Sequence, residues 1–496
     1  MKGKLAALAT ALLACASPAA ASGLEREVFY QIFTRSMRDS NGDHQGDLKG
    51  IEQSLPYLKR LGVTSLMLTP IQPSPFYHNY FPDLPEGIDP AFGTMADFRR
   101  LVRAIHARGM KLYLDEEFQY VTYGHPWFKA AFGNPRSPYS GMFFFHEPNN
   151  TQPESAVFGI TMAPRFPDGE VGITTVNMHS PRFKAWASDY MMGWVRAGVD
   201  GFRLDHMMDD LDNKHIDTNL FDSFWKPLFA RLRARNPRLN FIAEQYDWGY
   251  GDDFLKRGGT DAVFDFPLAG AIRSFDKAKI VEAIRRTAVA TLPGKHELIF
   301  VENHDMPRSA SDAGITPEKL RTAATLSMLL KGTPLIYYGQ ELGMRGKPRG
   351  EYKSDERDIG VREAFRWSAK TEGPGQANWY KGPKTYWTER FARDRDGISV
   401  AEEVSDPKSL LNHYRRLLAL RRSHPALVSG DQRVLDAPDG FLVIERRSGA
   451  ERALLIANLS GNPATYSVTG HDLLTGSEIA ATVRLHPYET KILAPR

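Results

Sequence analysis

The chain is predicted to fold as an α/β protein: a (β/α)8 TIM barrel with a small domain inserted after strand 3 and a C-terminal antiparallel β-sandwich. Three observations predict this. Strand-like and helix-like segments alternate through most of the 496 residues, which is the pattern of a parallel sheet covered by helices. The alternation is broken after the third strand by a long irregular stretch, and it gives way at the C-terminus to short alternating strands. The length suits a barrel with appendages.

Val28 to Ile32 reads as the first strand. Ile51, Leu55, Leu58 and Leu61 recur at helical spacing, and Gly62 stops that helix. Ser65 to Thr69 is the second strand; Phe98, Leu101, Val102 and Ile105 mark a helix ended by Gly109. Lys111 to Leu114 is the third strand, with Asp115 at its C-terminal end. From Phe118 to Val176 the sequence is rich in Pro, Gly, Phe and Tyr without a clean period, as in a functional loop or a small inserted domain. Ser180-Pro181 then starts a helix, with proline at its first position. Asp200 to Leu204, Asn240 to Ala243, Ala262 to Phe264, Leu298 to Val301 and Pro334 to Tyr337 are strands four to eight. Arg345 to Gly397 is a second long loop, Leu410 to Leu420 a last helix, and 441–445, 453–458, 482–485 and 489–493 are strands of the sandwich. The expected divisions are 1–21, a signal peptide; 22–117 and 177–424, the barrel; 118–176, the inserted domain; and 425–496, the sandwich.

Composition excludes several function classes. The chain is 42% hydrophobic and 25% charged, ordinary globular usage. A formal charge of +4, without a basic stripe, argues against a nucleic-acid partner. Lys2 and Lys4, apolar Leu5 to Ala14, and Ala19-Ala20-Ala21 before Ser22 form a secretory signal. The mature protein is therefore expected to start at Ser22 and to be periplasmic or secreted. Leu12-Leu13-Ala14-Cys15 is also similar to a lipobox, which would make the protein a lipoprotein anchored through Cys15. Cys15 is the only cysteine, so a mature body cut after it has no disulfide. No other stretch is long enough to cross a membrane, and a monomer is expected.

Catalytic groups of such barrels sit at the C-terminal ends of strands. Strand four ends Arg203-Leu204-Asp205, which puts Arg203 and Asp205 on one face. A carboxylate beside a guanidinium stays ionised, as a nucleophile must. Strand five ends in Glu244 after apolar Phe241-Ile242-Ala243, surroundings that let a carboxyl keep its proton. Strand seven ends Glu302-Asn303-His304-Asp305. Alone, an Arg-x-Asp on a strand is more often a structural ion pair, and a lone Glu after a strand more often a helix start. Carboxylates at three strand ends of one barrel face can converge on one sugar ring.

From about Val28 onward the chain resembles the α-amylase family of glycoside hydrolases. Gly198-Val-Asp-Gly-Phe-Arg-Leu-Asp205 resembles the family's nucleophile segment, Phe241-Ile-Ala-Glu244 its acid/base segment, and Val301-Glu-Asn-His-Asp-Met-Pro-Arg308 the segment with a third, stabilising Asp. Gly332-Thr-Pro-Leu-Ile-Tyr-Tyr-Gly-Gln-Glu341 is similar to the eighth-strand signature, and Tyr30-Gln-Ile-Phe33 and Ile88-Asp-Pro-Ala-Phe-Gly93 match the opening. The resemblance implies Asp205 as nucleophile, Glu244 as general acid/base and Asp305 as transition-state stabiliser. It implies Tyr80, Asp115, Arg203, His304 and Arg308 as substrate-binding residues, with Tyr80 stacking on the sugar. The implied reaction is retaining cleavage of α-glucosidic bonds, α-1,4 above all, in starch-like glucans or malto-oligosaccharides. An α-glucosidase, a transglycosylase or sugar isomerase using the same covalent intermediate, and a non-catalytic binding relative are the alternatives. Retention needs two carboxyls about 5 Å apart, one ionised and one protonated.

Some positions depart from the family pattern. After strand three the family's Asp-x-x-x-Asn-His is here Asp115-Glu-Glu-Phe-Gln119-Tyr120. Met208-Asp209 replaces Lys-His after the nucleophile, and Phe81 replaces an Asp after the stacking Tyr. These changes bear on an inter-domain calcium and on substrate length and linkage. A separate metal signal stands at Asp39-Ser-Asn41-Gly-Asp43-His-Gln45-Gly-Asp47, where oxygen side chains alternate around a Gly turn as Ca2+ requires. The family has a similar calcium loop after its first strand. Asp39, Asn41, Asp43 and Asp47 are carried over as side-chain ligands and Gln45 through its carbonyl, for one structural Ca2+; a polar turn without an ion is the alternative. Trp367, Trp379, Tyr380, Tyr386 and Trp387 in the loop after strand eight either stack on glucose units or pack that loop onto the barrel.

Overall fold

In the computed structural model, the described residues are 23–84, 86–154, 162–164, 170–208, 219–349, 354–380 and 390–496. The predicted signal peptide, Cys15, Asp209, Tyr386 and Trp387 lie outside them. Eight parallel strands close into a barrel in chain order: β1 (Phe29–Ile32), β2 (Ser65–Leu68), β3 (Lys111–Glu116), β4 (Gly201–Met207), β5 (Asn240–Gln245), β6 (Ala262–Phe264), β7 (His296–Ile299) and β8 (Thr333–Tyr337), with β8 paired to β1. Every predicted barrel strand is found, with ends shifted by up to three residues.

The barrel interior is filled by one residue type after another from successive strands: Phe29, Met67, Tyr113, Ile242, Phe264, Leu298 and Leu335 form one buried cluster. Gly201 explains how Tyr113 fits. A Cβ there would lie 2.3 Å from the Tyr113 ring, so only glycine lets the ring cross β4. The larger apolar cluster lies between strands and helices, including Ile51, Leu55, Leu58, Phe98, Leu101 and Ile105, the periodic positions of the sequence. The helix Leu48–Leu61 begins with Asp47 accepting the Gly50 amide and ends at Gly62 with φ 111°, a left-handed cap that suits glycine.

The irregular stretch after β3 contains a three-stranded antiparallel sheet, ordered Tyr120–Thr122, Glu170–Thr175, Met162–Pro164, and a helix Pro126–Ala131. Residues 431–495 form a six-stranded sheet and a two-stranded sheet, joined by a shared core of Phe441, Val443, Leu454, Ile456, Val483 and Leu485. Asp431–Leu435, unforeseen in the sequence, is an edge strand with no fully buried residue, so it lacks the alternation that marks its neighbours. Among the described residues no helix is long and apolar enough to cross a membrane.

The loop after β8 folds back onto the barrel. Trp379 stacks on Tyr77 at 4.9 Å and donates Nε1–H to Ser36 Oγ at 2.7 Å. Trp367 donates to the Met37 carbonyl at 2.7 Å. For these two and buried Tyr380, the packing alternative is the one realised.

Candidate active site

Asp115, Arg203 with Asp205, Glu244, and His304 with Asp305 emerge at the C-terminal mouth from β3, β4, β5 and the segment following β7. The sequence predicts that the fourth strand stops at Leu204. Instead β4 runs to Met207, with a register shift against β5 between Leu204 and Met207 and His206 at φ 44°. Such irregularities re-aim groups beside active sites. Here the His206 amide is turned to donate to Glu244 Oε2 at 3.1 Å.

Arg203, with no exposed surface, organises the acids. Its Nη1 donates to Asp115 Oδ1 at 2.6 Å and to Asp205 Oδ1, and its Nη2 lies 2.8 Å from Glu244 Oε2. One guanidinium thus serves three carboxyl groups. Full ionisation of all three would leave uncompensated negative charge in a buried place, which costs more than keeping one proton. Burial tends to raise Asp205, but the attraction of Arg203, with smaller contributions from Glu117, His206 and His304, together outweighs it and holds this carboxyl below its usual range. Burial, reinforced by Asp205 and Asp305 and opposed by Arg203, pushes Glu244 up to about 7. Asp205 is held low and Glu244 pushed up, the direction expected, though the cause differs, and burial pushes Asp115 up as well, to about 8. Phe241 packs on Phe229 at 4.1 Å and Ile242 faces the barrel interior; neither forms an apolar sleeve around Glu244. Burial and the neighbouring acids raise it.

Asp305 is the most open of the acids, its side chain 30% exposed. Arg362, from the loop after β8, donates to Asp305 Oδ1 at 2.9 Å, to the His304 carbonyl at 2.9 Å and to Tyr77 Oη at 2.8 Å. Tyr80 lies parallel to the His304 ring, 5.3 Å between centroids. Its hydroxyl donates to Asp115 Oδ2 at 2.7 Å and accepts from His304 Nε2 at 2.7 Å. Gln31 of β1 donates to His304 Nδ1 at 3.2 Å. With Gln31 donating to Nδ1, the imidazole is neutral with its proton on Nε2, and burial pushes His304 down to about 3.

The structure brings Tyr80, Asp115, Arg203, His304 and the three catalytic candidates together. It corrects Arg308. That residue is fully buried behind the site, donating to the carbonyls of Tyr338 (2.6 Å) and Val361 (3.0 Å) and to Glu302 (3.1 Å). It binds loops to the barrel instead of facing the mouth. Gln31 and Arg362 were not singled out from sequence, and His206 stood out only beside Asp209 as a possible metal pair, with a hydrogen-bonded or solvated His the favoured reading. Gln31 had a signal, a polar residue in the middle of a buried strand; Arg362 had none beyond the charge of its loop. Two departures from the family pattern prove to be neighbours: Phe81 and Tyr120 pack edge to face at 5.9 Å in a small cluster with Phe76 and Tyr80.

In the predicted metal loop, Asp39 accepts the amides of Asn41, Gly42 and His44 at 2.7 to 3.0 Å. Asp43 accepts the Gln45 amide at 2.8 Å, and Asp47 the Ser40 and Gly50 amides. The Gln45 side chain accepts from Arg35. Arg35 also donates to the Tyr77 carbonyl at 2.8 Å and pairs with Asp89 at 3.2 Å, which couples the loop to the segment carrying Tyr80. Three carboxylates and an amide oxygen on one turn fit a hard cation chemically. Among the described residues, though, no three His, Cys, Asp or Glu side chains converge as a metal site.

Residues 31–430 match the family model of the alpha amylase catalytic domain. The chain is 30% identical over 461 residues to alpha-amylase 3 of Dictyoglomus thermophilum, covering 89% of this chain and 86% of that one. It is 26% identical to an alpha-glucosidase of Schizosaccharomyces pombe, over 94% and 96% of the two chains. The solved alpha-amylase from H. orenii superposes with a TM-score of 0.79 at 27% identity, covering 95% of this chain and 99% of that one. With the closed barrel and the convergent acids, these likenesses establish that the chain belongs to the alpha-amylase family of glycoside hydrolases.

Proposed function

We propose that this hydrolase cleaves α-1,4-glucosidic bonds in starch-like glucans or malto-oligosaccharides with retention of configuration. Asp205 attacks the anomeric carbon, Glu244 protonates the departing oxygen and later deprotonates the attacking water, and Asp305 stabilises positive charge on the ring. The observation that carries the reading is the single guanidinium of Arg203 holding both Asp205 and Glu244, whose surroundings push the two carboxyls in opposite directions. Asp205 takes part by covalent bonding, so Asp205→Asn should lower kcat by about 10⁴-fold or more. Proton NMR of the first product decides the stereochemistry. Release of the α-anomer is expected; initial release of the β-anomer would reject Asp205 as nucleophile.

The Asp39–Asp47 loop is proposed to hold one structural Ca2+ through Asp39, Asn41, Asp43, Asp47 and the Gln45 carbonyl, away from the chemistry. The N-terminal segment is proposed to direct export with cleavage before Ser22, which intact mass of exported protein tests; a diacylated Cys15 rejects it.

A further inference from the structure

The segment leaving Glu244 carries an aromatic residue at every second position: Tyr246, Trp248 and Tyr250. None has a part in the roles assigned so far. Among the described residues the exposed large apolar side chains are Leu84, Phe132, Val404 and, together on this flank of the barrel, Tyr246, Trp248 and Val289. Exposed apolar surface gathered in one place and rimmed by polar groups marks a ligand-binding surface.

The segment is pinned to β6. Buried Gln245 accepts the Phe264 amide at 3.3 Å and donates to the carbonyls of Phe264 and Gly249, the latter at 2.6 Å. The Gly249 amide donates to Asp247 Oδ1 at 3.0 Å, and the Trp248 amide to the Gln245 carbonyl at 3.2 Å. Trp248 sits at φ 52°, a left-handed conformation uncommon for a bulky residue and concentrated at functional sites. This turn lays the indole flat on Phe266, with 4.7 Å between centroids and 2° between planes. Phe266 is braced in turn by the edge of Phe300 at 5.2 Å. One face of the indole is covered by protein, yet the residue stays 43% exposed.

Beyond Trp248 the surface continues to Tyr250, whose ring stands between two open recesses. One, of about 440 Å³, lies between the helices Phe266–Ser274 and Lys277–Ala290 and is edged by Lys279 and Glu282. The other, of about 270 Å³, is edged by Asp252, Lys256, Arg285 and Arg286, with the Arg286 guanidinium over the Tyr250 ring at 4.6 Å. Asp252 pairs with Lys256 at 2.9 Å and Glu282 with Arg285 at 2.7 Å. Ion pairs at an exposed rim hold each other weakly and offer donors and acceptors side by side. That suits a neutral molecule rich in hydroxyls better than an anion, and flat rings suit the C–H face of a pyranose.

We propose that Trp248 and Tyr250 form a distal chain-binding track for the leaving-group side of a long α-glucan. The proposal rests on the hydrolase acting on α-1,4-glucans through Asp205 and Glu244. Tyr80, Asp115 and His304 border the ring that Asp205 attacks, and Glu244 stands at the departing oxygen. Tyr246, its ring 6.4 Å from that of His206, leads from there to Trp248. Neither Trp248 nor Tyr250 touches the reacting bond. They add binding only for chains long enough to reach them, so the enzyme should favour long chains over short ones.

The test is the ratio of kcat/KM on amylose to kcat/KM on maltotriose. Trp248→Ala should lower that ratio by about tenfold, the loss of one stacked ring. Trp248→Phe retains a ring and should keep most of the ratio, and Tyr250→Ala should lower it by a smaller factor. An unchanged ratio in Trp248→Ala overturns the inference. So does an equal loss on both substrates, which would mean that the turn acts only by placing Glu244. If Trp248→Ala does not fold, Tyr250→Ala decides alone: a lowered ratio supports the track and an unchanged one rejects it. Wild-type protein that cleaves neither substrate rejects the α-1,4-glucan reading itself, an outcome seen without any change at Trp248 or Tyr250.

Discussion

Arg203 and Arg308 are both fully buried near the mouth of the same barrel, and both lie in segments that resemble family motifs, yet they do different work. Arg308 faces one carboxylate, Glu302, whose second oxygen takes the amide and hydroxyl of Ser309 at 2.6 Å each. Its remaining bonds go to backbone carbonyls, and its plane lies 4.0 and 4.7 Å from the rings of Tyr337 and Tyr338. Charge there is balanced and every bond is structural. Arg203 faces three acids, so charge is not balanced, and one acid must keep a proton. A buried cation matched by its partner holds a fold together, whereas one outnumbered by its partners sets protonation states.

The largest effect should come from removing the outnumbered cation. Arg203→Met takes from Asp205 the charge that keeps it ionised, and kcat/KM should fall by about 10³-fold or more. The acid limb of the remaining activity should move toward neutral pH, since burial then acts on Asp205 with less opposition. Steady-state kinetics across pH check both. A variant of near-normal activity would dissolve the contrast between the two arginines.

Glu244→Gln should rank next on natural glucosides, with a smaller loss on an aryl glycoside, where protonation of the leaving group matters less. The wild-type enzyme needs Glu244 protonated in the first step, so kcat/KM should fall as pH rises through about 7. The same shift bears on stability. A carboxyl whose folded value is raised binds its proton more tightly in the folded state, so its stabilising contribution fades as pH rises from the ordinary carboxyl range toward about 7. Glu244→Gln should lack that decline, which melting curves at pH 5 and pH 8 can compare.

Arg308→Met should show the opposite profile. It leaves Glu302 buried without its cation and two carbonyls without a donor, and truncating a buried pair costs about 3–5 kcal/mol. The folded enzyme should keep kcat/KM within a few-fold of wild type. Denaturant unfolding and kinetics on the same preparation separate the effects. Loss of activity without loss of stability would return Arg308 to the site.

How much of this was legible in sequence follows the same distinction. The barrel strands could be read because apolar runs ending in Gly or a charged residue repeat in order. Asp205, Glu244 and Asp305 could be read because each stands at the end of such a run. Arg362 could not, since it reaches Asp305 across 57 residues from a loop without periodicity. The bulge that turns the His206 amide toward Glu244 was hidden as well, because a register shift leaves no compositional mark. Arg308 was misjudged because proximity to Asp305 in the chain does not specify which way a side chain points. The edge strand Asp431–Leu435 escaped because its two apolar residues, Val434 and Leu435, are adjacent and only half-buried, so no alternation shows.

The smallest effect should be at the Asp39–Asp47 loop, the region least like the site. Asp43 is exposed, Asp39 half-buried and Asp47 buried, and each accepts backbone amides, so their charge is met locally by N–H donors. A cation bound there adds stability only by mass action on the native state. Asp43 is the acid to remove, because Asp47 also caps the helix Leu48–Leu61 and its loss would confuse two effects. Asp43→Ala should lower the melting temperature in millimolar calcium by a few degrees and abolish the sensitivity of that temperature to EDTA. Its kcat/KM should stay near wild type well below the melting point, because the loop reaches the Tyr80 segment indirectly, through Gln45 and Arg35. If wild-type protein melts at the same temperature with calcium and with EDTA, the loop is a polar turn and no ion belongs there. If Asp43→Ala instead lowers kcat/KM as much as Arg203→Met does, the line between balanced and outnumbered charge was drawn in the wrong place.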